Sequence, residues 1–102
     1  MRQVSKKQSR INSRLSRIKK DLPKRCYLCA RQGNDLMHIL PRSLFSEYIC
    51  EDWNLTIGCR EHHNLFDGDR EFRSAQKELY EQVIDNVKEE DRGRVKRYFG
   101  RI

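Results

Sequence analysis

Apolar residues recur along the chain with periods that change from segment to segment, and each period predicts an element. Ile11, Leu15, Ile18 and Leu22 fall at i, i+4, i+7 and i+11, one face of a helix whose other faces carry arginine and lysine. Pro23 marks its end, because the residue before a proline is pushed out of the helical region. Residues 30–35, Ala-Arg-Gln-Gly-Asn-Asp, are turn formers suited to reversing the chain. Leu36-Met37-His38-Ile39-Leu40, stopped by Pro41, predicts a short strand, and Asn54-Leu55-Thr56-Ile57-Gly58 predicts a second. Residues 42–53 between them form a connector whose aromatics, Phe45, Tyr48 and Trp53, are expected to pack on the core. From about His62 the pattern turns helical, with Leu65 and Phe66 inward and Gly68 as a break. Phe72, Ala75, Leu79, Val83 and Val87 then repeat as one helical face opposite Lys77, Glu78, Glu81 and Gln82. Gly93 is expected to interrupt a further, shorter segment containing Val95, Tyr98 and Phe99. These elements place the chain in the α+β class, with no internal repeat.

At 102 residues the chain is long enough for one domain and too short for two independent cores. Only 36% of it is hydrophobic and 36% is charged, so the core is expected to be small and to gain support from a metal. The net charge of +7 is concentrated at one end: residues 1–25 hold Arg2, Lys6, Lys7, Arg10, Arg14, Arg17, Lys19, Lys20, Lys24 and Arg25 against Asp21 alone. Residues 1–25 therefore read as a basic arm or helix, 26–70 as the core, and 71–102 as a helical extension packing on it. A basic arm of this kind tracks phosphates, gaining affinity from counterion release, and Arg10, Arg14, Arg17, Lys19 and Lys20 are its candidate nucleic-acid contacts. A solvated tail ahead of the domain is the equal alternative.

All four cysteines and all three histidines lie within residues 26–63. No apolar run of the signal-peptide or membrane-spanning kind is visible, so the expected location is cytoplasmic, a reducing compartment without membrane contact. There, Cys26-x-x-Cys29 and Cys59-x-x-His62 read as two knuckles gripping one tetrahedral zinc ion. Cys50 has no partner at knuckle spacing and reads as a free core thiol; spacing alone leaves it open as the fourth ligand in place of His62.

The residues left over by the zinc site form a second constellation. His38-Ile39-Leu40-Pro41-Arg42-Ser43, followed by Asn54-Leu55-Thr56-Ile57-Gly58-Cys59-Arg60-Glu61-His62-His63, resembles the HNH endonuclease family in its zinc-knuckle form. The likeness covers residues 26 to about 67. It implies a small ββα-metal core with a structural zinc, flanked here by the basic arm and the C-terminal helices, and a DNA endonuclease of phage or mobile-element type. It also implies roles. His38 would be the general base acting on water, Asn54 would hold the loop and orient His38, and His63 would bind a catalytic divalent ion. Asp67, one turn on, stands where many family members place a further ligand and suits Mg²⁺ or Mn²⁺. Arg42 is a candidate phosphate clamp.

Met37 departs from the pattern, since family members commonly carry Asp or His there as a metal ligand, and a thioether is a poor ligand for a hard cation. Asp35 shares that strand face but is expected to reach the site only across a bulge. Two other functions therefore stand beside the nuclease: a non-catalytic or attenuated zinc-stabilised DNA-binding module, and a zinc-bound interaction domain whose arm contacts an acidic protein or RNA. The expected partner is DNA, with RNA open and a protein partner that supplies specificity equally open.

Overall fold

The predicted basic helix is α1, Lys6–Asp21. The structure, a computed structural model, describes residues 6–101, so the first five residues of the expected arm lie outside it. No residue of α1 is buried, although Ile11, Leu15 and Ile18 are partly covered.

After Pro23 the chain tightens into the first knuckle. The Cys26 N–H donates to the Arg31 carbonyl at 2.8 Å and the Ala30 N–H to the Cys26 carbonyl at 3.1 Å. Ala30 is left-handed, with φ 59°. The Tyr27 N–H, donating to the Ile57 carbonyl at 2.9 Å, fastens this knuckle to the second strand. Gly33 permits the approach, because a Cβ there would stand 3.0 Å from the Cys26 nitrogen and 3.1 Å from the Gly58 carbonyl.

Strand β1, Asp35–His38, pairs antiparallel with β2, Leu55–Gly58, in the register Asp35 with Gly58, Leu36 with Ile57, Met37 with Thr56 and His38 with Leu55. Both are slightly shorter than predicted. The connector packs Phe45 and Tyr48 into the core and leaves Trp53 partly covered against Tyr48, their rings 5.3 Å apart.

Helix α2, Arg60–Gly68, follows β2 with Cys59 as its N-cap residue. Three further helices complete the chain: α3, Arg70–Ser74; α4, Lys77–Ile84; and α5, Arg92–Tyr98. The single helical face expected from Phe72 to Val87 is thus broken. Gln76 leaves the helical region with ψ 69°, and its side-chain amide donates to the Phe72 carbonyl at 3.1 Å, a local bond competing with a continuous helix. Gly93 does not interrupt a segment; it lies inside the first turn of α5. One buried cluster joins Met37, Ile39 and Leu40 to Phe66 and to Leu79, Val83, Val95 and Phe99, so a common core crosses the expected boundary at residue 70.

Candidate metal centre and cleft

Cys26, Cys29, Cys59 and His62 converge, with all four ligand atoms within 4.8 Å of one another. The sulfur of Cys29 is 3.9 Å from that of Cys59, and His62 Nδ1 is 3.5 Å from Cys26 Sγ and 3.2 Å from Cys59 Sγ. Tetrahedral zinc with bonds of about 2.3 Å to sulfur and about 2.0 Å to nitrogen requires ligand separations of about 3.5–3.8 Å. The four residues therefore fit zinc, and Cys50 stands outside the group. Burial pushes the Cys26 thiol up, but backbone hydrogen bonds from Cys29, Cys59 and Leu28 outweigh it and bring the thiol down to about 7, close to the thiolate a metal needs. The imidazole of His62 stacks on Phe72, the rings 6.0 Å apart and 7° from parallel, which fixes its orientation.

A second site lies where β1 meets α2. Leu36, His38, Pro41, Arg42, Ser43, His63 and Asp67 are among the residues lining one open cleft of about 570 Å³. His38 is partly buried, and its Nε2 lies 3.0 Å from the Ile49 carbonyl. A carbonyl only accepts, so Nε2 carries the proton and the neutral ring keeps its lone pair on Nδ1. Burial lowers the His38 pKa from its ordinary 6.5, as do the charges of Arg42 and His63; the Ile49 carbonyl and Asp67 oppose them.

Asn54 is fully buried and builds the support behind His38. Its Oδ1 accepts from the Leu40 N–H at 2.7 Å, while Nδ2 donates to the Leu40 and Tyr48 carbonyls at 3.2 and 3.0 Å. It thereby holds the turn that presents the Ile49 carbonyl, and its own carbonyl accepts from the N–H of Ile39, the residue after His38, at 2.9 Å.

His63, in the second turn of α2, stands between two carboxylates. Its Nδ1 is 2.9 Å from Asp35 Oδ2 and its Nε2 is 3.2 Å from Asp67 Oδ2. Asp35 thus reaches His63 from a regularly paired strand, without the expected bulge; α2 crosses the start of β1 closely enough to bring the imidazole to it. Arg60 Nε shares the same Asp35 oxygen at 3.2 Å. The His63 Nε2–Asp67 separation is that of a hydrogen-bonded ion pair, and it is also the separation of about 3 Å between neighbouring ligands of an octahedral ion with bonds of about 2.1 Å. Met37 is 0% exposed and turned into the core. Its sulfur lies close to where a Cβ on Gly58 would fall, so a side chain at position 58 would have to displace the Met37 thioether.

Of the predicted nucleic-acid contacts, Arg10, Arg14 and Arg17 line one groove on α1, Lys20 is exposed and Lys19 is partly covered. Arg42 is exposed at the cleft, and its Nη2 donates to Gln8 Oε1 of α1 at 3.5 Å, so α1 and the cleft lie side by side.

Two contributions were not read in the sequence. The Ile49 carbonyl is a backbone group and leaves no sequence signal. Arg73 does leave one, since Arg70 with Arg73 and Arg94 with Arg97 repeat at i, i+3. It is 9% exposed and donates to the Phe66, Asp67 and Tyr98 carbonyls at 2.7, 3.3 and 2.8 Å, closing the end of α2 beside Asp67.

No protein-family model, curated protein or solved structure matches the chain. Among the described residues no helix is long and apolar enough to cross a membrane.

Proposed function

We propose that the protein is a metal-dependent endonuclease of the HNH type, hydrolysing DNA phosphodiester bonds to leave 5′-phosphate and 3′-hydroxyl ends, with a ββα-metal core formed by β1, β2 and α2. The observation that carries this reading is that His38, His63 and Asp67, separated in sequence, line one cleft with an unused imidazole lone pair beside a ligand pair of cation size.

In this reading His38 is the general base. Held through Nε2 by the Ile49 carbonyl, it takes a proton from the attacking water on Nδ1. His63 Nε2 and Asp67 would hold Mg²⁺ or Mn²⁺, with Asp35 fixing the proton of His63 on Nδ1. A bound ion supplies stabilisation of the charge growing on the phosphate and the leaving oxygen. Arg42, exposed on the same cleft, clamps the phosphate. The Cys26, Cys29, Cys59 and His62 zinc site holds the two ends of the hairpin together, and α1 adds non-specific affinity.

The competing reading, a zinc-stabilised DNA-binding module without catalysis, is favoured by Met37, whose buried thioether leaves the cleft without the ligand its position usually supplies. Incubation of the purified protein with supercoiled plasmid separates the two. Relaxed and linear products with Mg²⁺ or Mn²⁺, suppressed by chelator, support the nuclease. Salt-sensitive retention of intact plasmid with every divalent ion supports the module.

A further inference from the structure

A second cleft of about 620 Å³ adjoins the first and is lined by Leu44, Phe45, Arg70, Arg73, Arg94, Arg97 and Tyr98. The two clefts share Leu44 and Tyr98 and so lie next to each other. Four arginines facing one groove is unexpected in residues 26–102, where acids outnumber bases by fourteen to twelve.

Their charges are not equally available. Arg94 donates to Glu47 at 2.6 Å and to Asp91 at 2.7 Å and is neutralised by them. Arg70 and Arg97 are exposed and, among the described residues, have no carboxylate within ion-pair distance. Arg73 is the informative one. Its buried guanidinium faces carbonyls and the Tyr98 ring, 3.9 Å from the ring centre, with no carboxylate partner, and its Nη2 has no acceptor among the described residues. Nε and Nη1 are already satisfied by three carbonyls, so what remains for a ligand is Nη2, which is open to solvent. A planar guanidinium with an unused donor is suited to phosphate oxygens.

We propose that this arginine cleft, with Arg73 at its base and Arg70 and Arg97 exposed, binds the phosphodiester backbone of the substrate beside the bond presented to His38 and His63. It rests on the nuclease reading for its orientation, and it places a DNA-contacting surface on α3 and α5, away from the basic arm. The charge complementarity is that of a polyanion rather than of a small acid, because Arg70 and Arg97 are exposed along an open groove that borders the first cleft.

The test measures binding of a fluorescein-labelled DNA duplex by anisotropy across a salt series, with nicking assayed in the same samples. The full chain is compared with the double variant Arg70→Gln/Arg97→Gln and with Lys77→Gln/Lys88→Gln, which removes the same charge elsewhere; Arg73 is retained because it also closes α2. The expected result is a log–log salt slope smaller by about 2 in the arginine variant, close to one per arginine, and a smaller change in the lysine variant. Equal slopes in the arginine variant and the unmodified chain, or equal losses in both variants, overturn the proposal. A reduced slope in a protein that never nicks keeps this surface and removes the hydrolytic reading; nicking with unchanged slopes does the opposite.

Discussion

The chemistry of the cleft turns on which nitrogen each histidine leaves open. For His38 the Ile49 carbonyl holds Nε2 and leaves Nδ1, whereas His63 presents Nδ1 to Asp35 and Nε2 to Asp67. That His38 and His63 belong to one site was legible in the residue type and spacing of His38, Asn54 and His63. The contribution of Asp35 was not, because its reach depends on how closely α2 crosses β1, a tertiary distance that alternation along a strand does not encode. Burial holds the His38 pKa below 6.5, and protonation removes the lone pair the base needs. The value of kcat/KM for cleavage should therefore rise with pH through a midpoint below 6.5 and be level at neutral pH; a midpoint above 7 contradicts the assignment. If Asp35 acts only by positioning His63, Asp35→Ala should weaken Mn²⁺ binding by roughly 10–100-fold. Asp35→Asn, which keeps an acceptor for Nδ1–H, should recover part of it. Titration followed by the Mn²⁺ spin signal reads both, and equal affinities across the three proteins would remove the role.

At the scale of elements, the hairpin and the helix after it are held by a few specific bonds. The strands were readable because short apolar runs end at Pro41 and at Gly58 before Cys59, and α1 because its stripe is regular and its stop is a proline. The break between α3 and α4 was not readable. No glycine or proline marks it, and the Gln76 amide bond to the Phe72 carbonyl is a side-chain contact that apolar periodicity does not encode. Asn54 is the strongest single support of the hairpin. Asn54→Ala removes three hydrogen bonds and leaves the buried Leu40 N–H and the Tyr48 carbonyl to find other partners. A loss of about 3 kcal/mol of unfolding free energy is expected in urea titration of the zinc-loaded protein, with cleavage falling beyond the loss of folded protein because the Ile49 carbonyl moves. A variant as stable as the parent would show that the turn is held by other contacts.

For the molecule as a whole, the Cys26, Cys29, Cys59 and His62 cluster, which could hold zinc, is tied to the common core, since the knuckle from residues 26–31 reaches it through Tyr27, through β2 and through that cluster. The pairing of Cys26 and Cys29 with Cys59 and His62 was visible from spacing; the choice of His62 over Cys50 needed the fold, which places Cys50 elsewhere. One zinc per chain is expected by metal analysis. Cys50→Ser should leave that stoichiometry and the melting temperature unchanged, whereas Cys26→Ser or a strong chelator should lower both, the metal's binding free energy being part of the folding free energy. Unchanged melting after zinc removal would contradict this coupling. The central claim, that an imidazole base and a cation site act on one phosphate, is tested most directly by single-turnover cleavage of DNA at saturating protein with Mg²⁺ or Mn²⁺, comparing the parent with His38→Ala. The account predicts a rate lower by about 10²–10⁴-fold with DNA affinity and zinc content unchanged; cleavage at the parental rate would contradict it.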